Sequence, residues 1–297
     1  MLNRRHTAIA RLLKLHGKLP QEVQELGFIP EVMNHPCKDT ASIIDMYEKS
    51  MGELLLPTLN ILVKNQPVDQ SIVCIAGTID MLVDLDNSIV TDFMVFDRTK
   101  NCTRTDYKII VYNVLMSFIE FGTRNDMGHG TALVANSTNK TIEFFDPTGT
   151  EGPWHNTVLN RLQIEFAKVL PGYRFIISGF CPDIGDYEGE GICGAYTLLF
   201  LILKMYNYQL GPEQLEARLG RLSRYQLTDL MRQFLCYIDD LYITHNLYEM
   251  LVFSKSLTNY VRATNPTILG ALKEVIDNGS LQELIDFANR NGVPLIY

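Results

Sequence analysis

The 297-residue sequence predicts an α+β fold: a mixed central sheet with a buried, cysteine-bearing helix, a helical N-terminal arm and a helical C-terminal region. Three observations carry this expectation. Runs rich in Ile, Val and Phe alternate with turn signals between residues 71 and 178. The nearly unbroken apolar run Cys193 to Tyr206 lacks a polar face, so a helix there must be covered on every side. Apolar residues at spacings of three and four dominate before residue 67 and after residue 211. The chain thus divides into an arm over 1–67, a core over 68–210 and a C-terminal region over 211–297.

The elements follow in order. Arg4, Arg5, Arg11, Lys14 and Lys18 face no acidic residue within 1–18, and interleaved Leu2, Ile9, Leu12, Leu13 and Leu15 make this stretch an amphipathic helix. We read it as packed on the domain with its basic face solvated, leaving nucleic-acid or protein contact open; a mitochondrial presequence is the alternative. Pro20 starts a helical segment over Gln21–Leu26, and Ala41 to Val63 is a second, capped by Asp39, Thr40 or Ser42 and broken or kinked at Pro57. Ser71–Leu85 and Ser88–Phe96 read as strands joined at Asp86-Asn87. Tyr107–Phe121 is ambiguous, since Ile109-Ile110-Val111 favours strand while Leu115, Phe118 and Ile119 have helical spacing. Thr131–Ala135 and Thr141–Phe145 flank a polar loop of hairpin length. A helix over Trp154–Val169 is ended by Pro171-Gly172, and Tyr173–Ser178 is a further strand. After the Cys193–Tyr206 helix come Gln214–Leu222, Gln226–Tyr237, Pro266–Ile276 with Asn278-Gly279 as its cap, and Leu281–Asn291. Tyr237, Tyr242, Tyr248 and Phe253 are expected to pack on the core, with a partner surface as the alternative.

Composition narrows the function classes. A hydrophobic fraction of 46% and a charged fraction of 20% belong to an ordinary globular protein. The net charge of -8 argues against a general phosphate-binding surface. No apolar run is long enough to span a bilayer, so no membrane span is expected. Cys37, Cys74, Cys102, Cys181, Cys193 and Cys236 are scattered without metal-ligand spacing, so neither a metal nor an organic cofactor is implied. Reduced thiols in an intracellular, reducing compartment are the expectation.

Three residues suit nucleophilic catalysis. A thiol attacks an amide as the thiolate, so it needs a lowered pKa and a base within reach. Cys193 lies in the first turn of its helix, where unpaired N–H groups favour negative charge, and Gly191 and Gly194 beside it leave room for a substrate backbone. His129 precedes one strand and Asp146 follows the next. If 131–135 and 141–145 pair as one antiparallel hairpin, its open ends bring His129, Gly130 and Asp146 side by side. Singly, each residue has a duller role: small buried hydrophobe, loop histidine, turn starter. Together they point to a cysteine hydrolase.

This arrangement resembles the clan of cysteine proteases that includes SUMO-specific proteases, adenovirus protease and the maturation proteases of large DNA viruses. The order His129, Asp146, Cys193, the acid-bearing turn Phe145-Asp146-Pro147-Thr148-Gly149 and the pair Cys193-Gly194 carry the resemblance, which covers roughly residues 125–205. The block from Cys181 to Tyr196 looks like that of giant-virus members. The resemblance implies a thiol endopeptidase cutting next to small residues, Gly-Gly-type sites, in viral structural polyproteins, located in the host cytoplasm or the virion. Catalytic His129, Asp146 and Cys193 and a substrate slot at Gly130, Gly191 and Gly194 would go with it. Removal of SUMO or ubiquitin-like conjugates, acyl transfer from acetyl-coenzyme A, and an inactive scaffolding descendant are the alternatives. Two positions depart from the clan's pattern: Gly130 stands where a Trp often follows the histidine, and Tyr187 stands where a Gln lends its side chain to the oxyanion hole. The Tyr187 hydroxyl is then the candidate oxyanion donor, with Asp186 beside it.

Overall fold

A computed structural model describes residues 19–35, 55–64, 72–97, 102, 107–149, 152–179, 192–277 and 280–294. The basic stretch 1–18, the caps expected at 39–42 and the Asn278-Gly279 cap lie outside them. The Ile-, Val- and Phe-rich runs form β1 (Val73–Asp84), β2 (Ile89–Asp97), β3 (Ile109–Glu120), β4 (Thr123–Asn136), β5 (Thr141–Phe145) and β6 (Arg174–Ser178). Together they make one mixed sheet in the order β2-β1-β3-β4-β5-β6. The β1–β3 and β5–β6 pairs are parallel and the rest antiparallel. The ambiguous segment at 107–121 is therefore strand. It occupies the sheet interior, between β1 and β4, where helices cover both faces and a strand reads as a continuous apolar run. A tight turn ends it: Phe121 and Gly122 take φ of 51° and 68°, and Asp86 accepts hydrogen bonds from both of their N–H groups.

The helices are α1 (Gln21–Gln24), α2 (Ile29–Met33), α3 (55–64), α4 (His155–Val169), α5 (Ile192–Tyr206), α6 (Pro212–Leu219), α7 (Arg224–Thr244), α8 (Leu247–Thr264), α9 (Leu269–Asp277) and α10 (Leu281–Arg290). Residues 55–64 are helical across Pro57. Helix α7 extends past the expected Tyr237, and α8 is a separate element that the sequence reading did not delimit. None of these helices is long and apolar enough to cross a membrane.

Alternation along the strands builds two cores. Leu133, Ala135, Ile142 and Phe144 pack with Val158, Leu162 and Phe166 of α4 on one face. Ala132, Val134 and Phe145 face α5 on the other, where Phe145 stacks on Phe200 at 3.7 Å between ring centroids. Leu198 through Leu203 are all 0–1% exposed, each worth about 1.5–3 kcal/mol of burial. The α5 layer continues without interruption into α1–α3 and the C-terminal helices, one cluster from Leu19 to Val293. Tyr237, Tyr242 and Phe253 are buried in it, as the packing expectation requires.

One expectation is corrected. Cys74 of β1 is disulfide-bonded to Cys102 with Cα atoms 5.7 Å apart, and Cys236 is also disulfide-bonded, so the thiols are not all reduced. The fold brings Cys74 and Cys102 together across 28 residues of sequence, a separation that gives no local signal. Cys193 is free.

Candidate active site

The site forms where the open end of a hairpin meets the start of a helix. Strands β4 and β5 pair antiparallel, Ala132 opposite Phe145, so the residues just beyond this ladder are brought together. On its other side β4 pairs Met116 with His129 but Phe118 with Asn125, so three β4 residues face Ser117 alone. Such a bulge re-aims the side chains beside it. It lies directly before His129, whose Nε2 sits 2.8 Å from Asp146 Oδ1.

Asp146 is fully buried and has every lone-pair direction used. Oδ1 accepts hydrogen bonds from His129, from Thr148 N–H (2.8 Å) and from the Thr148 hydroxyl (2.6 Å). Oδ2 accepts from Trp154 Nε1 (2.9 Å) and lies 3.0 Å from His155 Nε2. Its backbone is fixed by Ser178 O, and a Cβ on Gly179 would stand 2.5 Å from Asp146 O, so only glycine fits there. Burial alone would raise the carboxyl pKa; the hydrogen bond and charge of His129, with Thr148 and Trp154, outweigh it and hold the acid far below the usual carboxylate range.

Cys193 stands in the first turn of α5, partly exposed and in hydrogen-bond reach of His129. With Nε2 turned to Asp146, Nδ1 is the ring nitrogen left for the thiol. Burial pushes the thiol up, but the hydrogen bond and charge of His129 and the backbones of Gly130 and Gly194 bring it below the ordinary range. Burial likewise opposes the His129 charge, yet Asp146 and Cys193 raise its pKa to about 9. The two groups thus shift each other in the same sense, each favouring the charged form of the other.

Gly130 and Gly194, expected to border substrate, are buried against each other: a Cβ on Gly130 would lie 3.4 Å from Gly194 Cα. Thr197 Oγ1 ties β4 to α5 by donating to Gly130 O at 3.0 Å. Tyr187 and Gly191 lie outside the described residues. Sequence reasoning missed Thr148, Trp154 and His155. The indole absent after His129 is supplied from a distant loop: Trp154 packs edge-on to His129 at 5.5 Å and against Phe118 at 5.1 Å. Thr148 had a local signal, because Asp-Pro-Thr-Gly is a side-chain-capped turn. Among the described residues no group of three or more His, Cys, Asp or Glu side chains is arranged to hold a metal ion.

No protein-family model matches the sequence, and no curated protein matches it. Solved structures similar to the fold include the SUMO protease Ulp1 with its catalytic cysteine oxidised to a sulfonic acid (11% identity, 75% of this chain and 97% of that chain, TM-score 0.36). Another is the Legionella pneumophila effector RavZ, at 11% identity over 83% of each chain and a TM-score of 0.36. A third is ChlaDub1 from Chlamydia trachomatis, at 11% identity over 65% of this chain and 77% of that chain, TM-score 0.33. Likeness at this level decides neither reaction nor substrate.

Proposed function

We propose that the chain is a thiol hydrolase of peptide or isopeptide bonds, with Cys193 as nucleophile, His129 as acid and base, and Asp146 as the group that orients His129. One observation carries the reading: the His129 imidazole is hydrogen-bonded at 2.8 Å to a fully buried carboxylate and lowers the pKa of a partly exposed thiol, although the three residues come from separate elements. In this reading the Cys193 thiolate attacks the carbonyl carbon and forms a tetrahedral adduct. The Cys193 N–H in the first turn of α5 has no intrahelical acceptor and is available to the oxyanion, with the Tyr187 hydroxyl as a second donor. The His129 imidazolium gives its proton to the leaving amine as the C–N bond breaks. Neutral His129 then takes a proton from water, which attacks the thioester, releases the acid and restores the thiol. Asp146 stays ionised throughout and keeps the ring in one tautomer.

The narrower reading is endopeptidase action at Gly-Gly-type sites of a viral structural polyprotein. Its support is the cysteine block Cys181 to Tyr196 in the sequence. Removal of a ubiquitin-like protein would use the same three residues, and substrate preference separates the two. Purified protein and its Cys193→Ala variant are each incubated with Gly-Gly-X peptides and with ubiquitin-like proteins bearing a C-terminal amide-linked reporter, and products are read by mass spectrometry. The reading expects cleavage after glycine by the wild type and none by the variant. Turnover of neither substrate class, or equal turnover by Cys193→Ala, contradicts it.

A further inference from the structure

Building on the thiol-hydrolase reading, we infer that His155 is a positioning residue: it holds the Oδ2 edge of Asp146 so that Oδ1 stays directed at His129. Two imidazoles share this carboxylate, one on each oxygen. His129 faces the thiol; His155, only 3% exposed at the start of α4, reaches the acid from behind. Rotation about Cβ–Cγ would take the carboxylate out of alignment with His129, and each donor on Oδ2 resists it. Donors on both oxygens remove that freedom, and Trp154 and His155 are the two on Oδ2.

Two further observations separate positioning from simple packing. His155 Nδ1 is buried with no hydrogen-bond partner among the described residues. Burying an unpaired polar atom is unfavourable, and a phenyl ring would fill the same space among Phe144 and Trp154 without it. The imidazole is thus a poor choice for packing and a good one for the Nε2 contact. The preceding loop is also shaped for it. A Cβ on Gly152 would sit 2.7 Å from the Trp154 ring and 2.9 Å from His155 Cε1, so the backbone passes close under both rings that reach Asp146.

The test compares wild type, His155→Phe and His155→Gln for the pH midpoint of Cys193 alkylation, beside the thermal midpoint. The phenyl ring keeps the shape without the donor; the glutamine amide keeps a donor near the Nε2 position. A misaligned Asp146 supports the imidazolium less well, which in turn favours the thiolate less. His155→Phe is therefore expected to raise the alkylation midpoint by about one pH unit, a roughly tenfold loss of rate at pH 6, while its thermal midpoint equals or exceeds that of wild type. His155→Gln is expected to restore most of the reactivity. An unchanged midpoint in His155→Phe overturns the proposal, as does loss of stability and reactivity together in both variants. If wild-type Cys193 itself reacts as an ordinary thiol, the thiol-hydrolase reading falls too; if it is activated and His155→Phe leaves it so, only the positioning role falls.

Discussion

Glu143 and Asp146 are two buried carboxylates three residues apart, one in β5 and one just past its end, and the protein neutralises them differently. Glu143 is 2% exposed and pairs with Lys204 of α5 at 2.7 Å, while the Ser178 hydroxyl donates to its other oxygen at 2.6 Å. Its counter-charge is a lysine enclosed in the core beside Phe200, fixed in place. Among the described residues Asp146 has no lysine or arginine partner: it is met by a backbone N–H, a hydroxyl, an indole and two imidazoles. Its partner His129 is titratable, and in the proposed chemistry its charge comes and goes with the proton it exchanges with Cys193. Burial thus does not distinguish a structural acid from one suited to catalysis. The distinguishing feature is whether the partner's charge can change.

The sharpest way to break this contrast is to neutralise each acid in turn. Asp146→Asn should lower kcat by up to about 10⁴-fold, because an amide favours the wrong imidazole tautomer, and should also cost stability, because its NH2 group must face groups that donate to the carboxylate. Glu143→Gln should leave kcat per folded molecule near wild type but destabilise the protein by about 3–5 kcal/mol, since Lys204 is left buried without its counter-ion. Adding Lys204→Met should recover most of that loss. Steady-state kinetics and urea unfolding on the same preparations read both effects, and an Asp146→Asn variant that keeps its rate would erase the distinction.

pH should sharpen the contrast next. The raised His129 contributes stability that is complete below the ordinary histidine value of about 6.5 and is lost as pH rises through about 9. The depressed Asp146 contributes stability present above about 3.9 and lost as pH falls below it. Catalysis needs the imidazolium to protonate the leaving amine, so kcat/KM should fall on an alkaline limb near 9. A profile without that limb would place the proton elsewhere.

A smaller effect is expected where the two halves of the site touch. Gly130→Ala puts a methyl group 3.4 Å from Gly194 Cα, at the near edge of ordinary van der Waals contact, so β4 and α5 can accept it with little movement. The variant should keep kcat within a few-fold of wild type and cost about 1 kcal/mol of stability or less. Parallel kinetics and thermal melts on Gly130→Ala check this.

The sequence made the strands, the cysteine helix and the hairpin that joins His129 to Asp146 readable, because each rests on local periodicity and short turns. The Tyr107–Phe121 strand was ambiguous because, covered on both faces, it lacks the polar alternation that marks a strand. Trp154 and His155 could not be read as partners of Asp146. Their contact depends on where the tertiary fold places the start of α4, and a Trp-His pair at a helix start carries no such message alone. The Cys74–Cys102 bond was hidden for the same reason, since only the tertiary fold brings the two together. The sequence places Gly130 beside His129, whereas its packing against Gly194 of α5 is a tertiary contact with no local signal.

The most direct test of the central claim is the rate of Cys193 alkylation against pH, by peptide mass spectrometry, in wild type and His129→Ala. The account predicts fast labelling of wild-type Cys193 well below the ordinary thiol range, and labelling in His129→Ala only at the alkaline pH of an unassisted thiol. Identical profiles in the two proteins would contradict the thiolate–imidazolium pair and remove the basis for the proposed chemistry.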